Sequence, residues 1–529
     1  MEFIKALSLL SKSSPFAVST ENPEHDSDLV VYKSYLYIKT DIEADFEKAL
    51  LKSRSGEIIF LCGSSGDGKS EILTRYSKKH RTTTDFHLDA THSFSPNQTA
   101  INALDDRFTA FKSNNRPLVI GINTGMLGNY AEEGADEHDD IKTSIKQFLS
   151  GQPTPKNHTY LDFESYPKFH FSDGVSHSDF TEKFLIQLTQ ADWSNPFYVL
   201  YEAEKERSGW TKLCTNFALL SNFSIQKTIV ELLLKSRLMK DQFLTARSLL
   251  DFVYQMLSMK GYLFDNLFTA IDNEILEQLR SFDPSATHTR DIDEFILQFG
   301  LGIENSGYVE LKRKLAELGI TDIASPRSFL RAIYLLKHDD SFTNGYSQQL
   351  INSFDNRLVD RYANIWLLHR DYDGTPDLRN ELNKFYRESL IPAVHNYCNR
   401  NAPFLEKGTY FVSEYNGYRL ATELDIKPDF HSIQTQPISR ISGFDARLKI
   451  GDDKLKVIPI NINLFQLLEG INHGYRPNKH DKNSILQLDD VIEQIISTAN
   501  NNHVLHVFSD QMKFKVVKQD SDYFEVSGI

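Results

Sequence analysis

One segment of the chain combines residue types and a spacing that are typical of phosphate binding. It matches the pattern Gly-x-x-x-x-Gly-Lys-Ser at every fixed position, from Gly63 to Ser70. Glycines let the backbone bend so that its N–H groups converge on phosphate oxygens. A lysine at this spacing reaches the β- and γ-phosphates, and a serine hydroxyl is a ligand for Mg²⁺. The predicted contacts for ATP are Gly63, Ser64, Ser65, Gly66, Asp67, Gly68, Lys69, Ser70 and Glu71, with Lys69 also catalytic and Ser70 also the metal ligand.

Hydrolysis needs a carboxylate that holds magnesium, and the sequence offers two for this role. Asp89 follows the run Phe86–Leu88, and Asp162 follows the run Thr159–Leu161. No run of four apolar residues followed by Asp-Glu occurs in the first 175 residues, so the choice stays open. Each aspartate has a second interpretation as a solvated acid at the end of a strand.

Two further polar residues stand where P-loop ATPases often carry catalytic groups. Asn123 follows the apolar strand Leu118–Ile122, at the edge of an α/β sheet where ligands bind, and this resembles the sensor-1 position of AAA+ type ATPases. Arg247 lies in the first turn of a predicted helix, which resembles the sensor-2 arginine of AAA+ lids. The alternatives are a turn-forming asparagine and an exposed arginine, and Arg327 has a similar local sequence.

The elements around the glycine-rich segment predict its fold. Short apolar runs near residues 57–62, 85–89, 117–122 and 158–163 have strand character, and helix-forming stretches separate them. Strands that alternate with helices at this spacing indicate βαβ crossovers and a mainly parallel sheet. The fold class predicted for residues 41–175 is therefore an α/β P-loop NTPase domain, a parallel sheet with flanking helices.

The other parts of the chain have different periodicities. Residues 1–40 form an N-terminal lead-in, with a helix at Phe3–Ser11 and a strand near Leu29–Ile38. Residues 176–402 have the period of helices and form a helical lid or interaction region. Residues 403–529 return to a period near two, with a hairpin at Asn416-Gly417, and form a C-terminal α+β domain.

Composition limits the classes of protein that fit. A chain of 529 residues is long enough for several domains, and its 40% hydrophobic residues can fill their cores. The net charge of −14 argues against a surface that is basic throughout and coats nucleic acid. Three widely spaced cysteines favour a reducing compartment, and no secretion signal or membrane span is apparent. We therefore expect a soluble, cytoplasmic protein with no membrane contact.

Three segments together resemble the DptF family, also called DndF, of bacterial DNA phosphorothioation-dependent restriction systems. They are Leu10–Val18, Phe60–Leu73 and Ile120–Leu127, so the resemblance covers mainly the first 130 residues. It implies a cytoplasmic antiviral defence protein that acts with DptG and the helicase-like ATPase DptH on DNA lacking a sulfur-modified backbone. Only Gly63, Gly66, Gly68, Lys69 and Ser70 carry over with a role.

The sequence is compatible with three functions. The first is an ATPase subunit of such a restriction complex, which contacts DNA through the assembly. The second is a nucleotide-gated scaffold that binds ATP without significant hydrolysis, which the missing Asp-Glu pair favours. The third is a small-molecule kinase, against which the two large appended regions argue. The sequence does not fix the oligomeric state and leaves a homo-oligomer open.

Overall fold

A computed structural model describes most of the chain. The described residues are 2–14, 27–90, 98–166, 168–172, 175–240, 244–269, 273–323, 325–354, 358–436, 443–499, 503–509, 512–520 and 523–528. Residues 15–18 of the family-like segment Leu10–Val18 lie outside these ranges. The chain divides into two compact units, the first with residues 1–170 and 176–355 and the second with residues 171–175 and 356–529. The finer division into four regions stays a prediction.

Helices provide most of the regular structure. They are α1 Phe3–Leu7, α2 Ser27–Tyr35, α3 Asp41–Lys52, α4 Lys69–His80, α5 Ala100–Ser113, α6 Thr124–Glu133, α7 Asp139–Leu149, α8 Asp179–Thr189, α9 Pro196–Ser208, α10 Lys212–Leu220, α11 Phe223–Lys240, α12 Ala246–Ser258, α13 Leu263–Asn266, α14 Glu274–Leu279, α15 Arg290–Gly300, α16 Ser306–Glu317, α17 Pro326–Leu335, α18 Gly345–Phe354, α19 Leu358–Arg370, α20 Pro376–Phe385, α21 Ile391–Cys398, α22 Phe430–Thr435, α23 Ile462–Asn472 and α24 Lys482–Ala499.

Strands lie at the beginning and at the end of the chain. They are β1 Ile58–Cys62, β2 Asp85–His87, β3 Leu118–Ile122, β4 His158–Asp162, β5 His170–Ser172, β6 Val175–His177, β7 Thr409–Tyr415, β8 Tyr418–Glu423, β9 Ile426–Pro428, β10 Phe444–Ala446, β11 Leu448–Ile450, β12 Asp453–Lys454, β13 Ile458–Ile460, β14 Val504–Phe508, β15 Lys513–Asp520 and β16 Tyr523–Gly528.

The first sheet is parallel, as the sequence predicts. Within the described residues its strand order is β2-β3-β1-β4, so β1 lies between two strands that come later in the chain. The register puts Cys62, the last residue of β1, beside Ile122 of β3 and Asp162 of β4. The carboxyl ends of these strands therefore meet at one edge of the sheet, directly before the Gly63–Ser70 segment.

Helices cover both faces of this sheet because its strands are apolar on both sides. Ile58, Phe60 and Cys62 pack in one core with residues of α5, α6 and α7. Ile59 and Leu61 point the other way and pack in a second core with residues of α3 and α4. The five residues of β1 are all buried. A parallel sheet with flanking helices is thus confirmed.

The lead-in differs from the sequence prediction, because the strand expected near Leu29–Ile38 is the helix α2. Its contacts recur at helical spacing. Leu29 and Leu36 are buried, the ring of Tyr32 lies 5.2 Å from that of Phe197, and Lys33 pairs with Glu71 of α4. The aromatic and β-branched residues of this segment favour a strand. Packing against α9 and α4 stabilises the helix instead.

Between residues 179 and 401 the regular elements among the described residues are all helices, as predicted for residues 176–402. Side-chain caps begin many of its helices, and the cap of α12 is reciprocal between Thr245 and Ser248. No single helix among the described residues has the length and apolar composition to cross a bilayer, although α10 and α11, bent by 81°, pass that test as a pair.

The second unit contains the predicted antiparallel sheet. Its largest sheet has the order β16-β15-β14-β8-β7 within the described residues. The turn between β7 and β8 is the expected Asn416-Gly417, with φ of +48° and +79°. Helices α22 to α24 lie among these strands within residues 403–529, so the α+β character predicted for the C-terminal part is confirmed.

Candidate functional site

The Gly63–Ser70 segment forms a tight loop between β1 and α4. Gly66 and Gly68 have φ of +86° and +103°, in the region that residues with side chains rarely adopt. Gly68 is the N-cap residue of α4, and no side chain caps this helix. The first N–H groups of α4 therefore keep their capacity to donate, and the helix dipole adds positive potential there. The backbone of this loop is suited to bind an anion.

The loop forms one wall of a cavity of about 410 Å³, a size that suits a small organic ligand. Its polar end is at the carboxyl edge of the sheet, where residues 65–71 meet Asp89 and Asn123. Other parts of the lining are apolar and come from the N-terminal segment and from two helices of the helical region. These apolar residues are Leu9, Leu10, Leu36, Ile38, Phe180, Phe184 and Leu250.

Lys69 projects along the loop at the polar end of the cavity. Its Nζ donates to the carbonyl oxygen of Ser64 at 2.7 Å and to that of Gly63 at 3.0 Å. Burial lowers the pKa of the Lys69 ammonium, while the carboxylates of Asp67 and Asp89 act in the opposite direction. The lysine is thus held by weak neutral acceptors, which a negatively charged ligand could replace.

Asp67 stabilises the loop from inside. Its Oδ2 accepts the N–H of Ser64 at 2.7 Å, and its Oδ1 lies 2.6 Å from Nζ of Lys168. The side chain of Asp67 is only 2% exposed. Lys168 was not predicted as a site residue, because it lies 101 residues from Asp67 in the sequence and no local pattern marks it.

Glu71 lines the cavity, but its carboxylate is bound by two cations. Lys33 of α2 lies 2.7 Å from one oxygen and Arg75 lies 2.8 Å from the other. Two predicted nucleotide contacts, Gly63 and Ser64, do not line the cavity. Their carbonyl groups accept hydrogen bonds from Lys69 instead. The contacts that do line it are Ser65, Gly66, Asp67, Gly68, Lys69, Ser70 and Glu71.

The structure distinguishes the two aspartates that the sequence left open. Asp89 follows β2 and lines the cavity. Asp162 ends β4 next to Cys62, yet it does not line the cavity, and its Oδ1 caps the N–H of Glu164 at 3.1 Å. Asp89 is therefore the better placed of the two to hold a metal ion near Ser70.

Asn123 combines its two interpretations. Its Oδ1 accepts the N–H of Met126 at 2.6 Å and so caps α6, as a turn-forming asparagine would. The residue also lines the cavity, at the end of β3 and next to β1. Because the carbonyl oxygen serves the helix, the amide nitrogen is the group that could donate to a ligand.

Arg247 lies against the loop at the start of α12. Its backbone N–H donates to the carbonyl oxygen of Gly66 at 3.1 Å, and the residue lines the cavity. A side chain at position 66 would meet Cβ of Arg247 and Oγ1 of Thr245, each at 3.1 Å. Arg327, the second arginine of this pattern, begins α17 and does not line the cavity.

The residues at the polar end fit a magnesium site completed by a ligand. Ser70 supplies a hydroxyl and Asp89 a carboxylate, and both line the cavity. Oxygen ligands of these kinds, completed by phosphate oxygens and water, are what Mg²⁺ prefers. Within the described residues, no group of three or more His, Cys, Asp or Glu side chains forms a metal site by itself.

Comparisons with known proteins add no relative, because no protein-family model, curated protein or solved structure matches the chain.

Proposed function

We propose that this chain binds ATP with Mg²⁺ in the cavity at the Gly63–Ser70 loop and hydrolyses it. One observation supports this most strongly. The loop enters α4 through Gly66 and Gly68 at positive φ, and the uncapped start of that helix faces a cavity of about 410 Å³. Backbone donors, a lysine and a hydroxyl then surround a space large enough for a nucleotide.

Each residue has a distinct task in this proposal. The phosphates lie against the amides of residues 66–70, and Lys69 exchanges its contacts with Gly63 and Ser64 for phosphate oxygens. Ser70 and Asp89 would hold the metal ion, which would neutralise charge on the phosphates. Asn123 donates from its amide nitrogen, Arg247 approaches from α12, and the apolar lining residues contact the base.

We further propose that the ATPase belongs to a cytoplasmic complex that restricts DNA lacking phosphorothioate modification. The resemblance of three N-terminal segments to the DptF family supports this, with DptG and DptH as partners and with DNA contacted through the assembly. The three cysteines, Cys62, Cys214 and Cys398, are free and buried, which fits a reducing compartment.

Calorimetric titration of the full-length protein with ATP in the presence of Mg²⁺ tests the site. We expect binding in the micromolar to millimolar range that is typical of enzyme substrates, and its loss in Lys69→Ala. Restriction of unmodified phage DNA by cells that also express the partners tests the biological role. A wild type that binds no ATP, or restriction that survives Lys69→Ala, would show the proposal to be wrong.

A nucleotide-gated scaffold remains the second proposal, because of the carboxylates at the cavity. Asp67 and Glu71 are engaged in ion pairs with Lys168, Lys33 and Arg75. Asp89 would then have to serve both the metal ion and the attacking water. Single-turnover measurements with partners and DNA separate the two functions, since an ATPase releases phosphate from bound ATP and a scaffold does not.

A further inference from the structure

We propose that Lys168 is a positioning residue that ties the phosphate-binding loop to helix α12, so that nucleotide binding and the placement of this helix depend on each other. The inference rests on the proposed ATP site and adds to it a residue and a route of communication. We call the link from Asp67 through Lys168 to the carbonyl group of Leu244 the Lys168 bridge. Each of its three members lies in the first unit.

The first end of the bridge is a buried acid in the loop. Asp67 is 2% exposed and uses one oxygen for the amide of Ser64 and the other for Lys168. A carboxylate this buried is costly unless a positive partner compensates it. Asp67 also lines the cavity that we expect to hold a triphosphate. Without Lys168, its negative charge would act directly on the phosphates.

The second end is the start of α12. Nζ of Lys168 also donates to the carbonyl oxygen of Leu244, two residues before α12 begins at Ala246. An independent contact supports the same connection, because the N–H of Arg247 donates to the carbonyl oxygen of Gly66. The loop is thus fastened to the first turn of α12 by a side chain and by the backbone.

Helix α12 also contacts the N-terminal segment, which forms another part of the cavity wall. Asp251, which is 2% exposed, accepts the backbone N–H of Lys12 at 2.8 Å and the side chain of Asn273 at 2.7 Å. Residues 9–11, directly before Lys12, line the cavity. A shift of α12 would therefore move both the loop and the N-terminal wall. Ligand contacts at either wall would in turn bias the position of the helix.

Charge variants test the bridge by ATP affinity. We expect Lys168→Met to weaken ATP binding about tenfold or more, as loss of a charged hydrogen bond to a buried acid implies. Lys168→Arg keeps the charge and should stay within about threefold. Lys183→Met, at an exposed lysine of α8 in the same unit, is the matched control and should change nothing.

The double variant gives a result that a general loss of structure cannot produce. Asp67→Asn removes the charge that Lys168 compensates but keeps an oxygen for the Ser64 amide. We therefore expect Asp67→Asn combined with Lys168→Met to bind ATP more tightly than Lys168→Met alone. A double variant that binds more weakly than both single variants would overturn the compensating role of Lys168.

Hydrogen exchange at saturating ATP then tests the communication. In the wild type we expect ATP to slow exchange in residues 63–72 and also in residues 252–258, the part of α12 beyond the residues that line the cavity. In Lys168→Met only the first segment should respond. Equal protection of both segments in the variant would overturn the coupling while leaving the ATP site intact. A wild type that binds no ATP would instead overturn the proposed function, and this inference with it.

Discussion

The two units of the chain use groups of polar side chains in opposite ways. In the first unit, Asp67, Lys69, Ser70 and Asp89 gather at one edge of a sheet and face a cavity. In the second unit, a comparable group is closed on itself. His369 bonds the carbonyl oxygen of Ile365 at 2.8 Å and the hydroxyl of Tyr386 at 3.1 Å.

The aromatic surroundings of the second group complete the contrast. The ring of His369 stacks at 4.1 Å on that of Phe444, and the hydroxyl of Tyr386 also accepts the N–H of Arg447 at 3.3 Å. Neither His369 nor Tyr386 is exposed by more than 2%. A group of polar residues therefore points to chemistry when its neighbours leave room for a ligand, and to architecture when it is buried and protein groups satisfy it.

The strongest test of this contrast removes the lysine of the open group. Lys69→Ala should weaken ATP binding about 100-fold, because charged hydrogen bonds contribute up to about 3 kcal/mol. The melting temperature should stay nearly constant, since the hydrogen bonds that Lys69 makes to described residues end on loop carbonyl groups. Lys78→Ala, an exposed residue on the same helix, is the control for calorimetric titration. Equal affinity in both variants would contradict the assignment.

The two aspartates sharpen the comparison within the first unit. Asp89→Asn should lower phosphate release in single-turnover experiments about 100-fold, because it removes an ionic ligand for the metal. Asp162→Asn should change the rate less than about threefold, because Asp162 caps a backbone amide outside the cavity. The reverse order of the two effects would move the metal site to β4.

A substitution at Gly66 tests how closely α12 packs against the loop. Gly66→Ala forces a side chain onto a residue with φ of +86° and into contact with α12. We expect a loss of about 2 kcal/mol in unfolding free energy, measured by urea denaturation. Gly128→Ala, inside α6 with open space around it, should instead gain about 1 kcal/mol. An unaffected Gly66→Ala would mean that the loop and α12 separate readily.

The smallest expected effect concerns the closed group. Burial lowers the pKa of His369 to about 4, below the value of about 6.5 for an unfolded chain. The unfolded state then binds the proton more readily between these values, so stability falls as the pH drops through this window. We expect His369 to account for a loss of about 1 kcal/mol between pH 7 and pH 5.5.

His369→Gln should reduce this dependence and leave ATP affinity within about twofold. The remaining dependence has a source in the first unit, because burial also lowers the pKa of His87 in β2 to about 4. Urea denaturation of wild type and variant at both pH values provides the measurement. An unchanged slope in the variant would show that His369 does not titrate in this way.

The features that could be predicted from the sequence are those that depend on residues close together in the chain. The Gly63–Ser70 loop and the hairpin turn at Asn416-Gly417 depend on adjacent residues, and both predictions locate real turns. The sheet strands followed from short apolar runs. Asp89 and Asp162 could not be ranked, because their difference arises from the strand order β2-β3-β1-β4 and from the cap at Glu164.

The errors and omissions arise from contacts across long separations. Helix α2 has the composition of a strand and becomes helical through Tyr32 against Phe197 and Lys33 against Glu71. Lys168 becomes a site residue only because the chain returns to Asp67 after 101 residues. The contacts of α2 and of Lys168 produce no periodic pattern in the sequence. Local sequence preferences therefore could not predict them.

The position of β1 has a consequence for how the protein is made. Both neighbours of β1, β3 and β4, are translated after it, at residues 118–122 and 158–162. A ribosome must therefore add about a hundred residues before the strand that carries the loop is paired on both sides. The contact with Arg247 requires still more of the chain. Nucleotide cannot assist the early stages of folding, and the apolar strand β1 is exposed to aggregation during that interval.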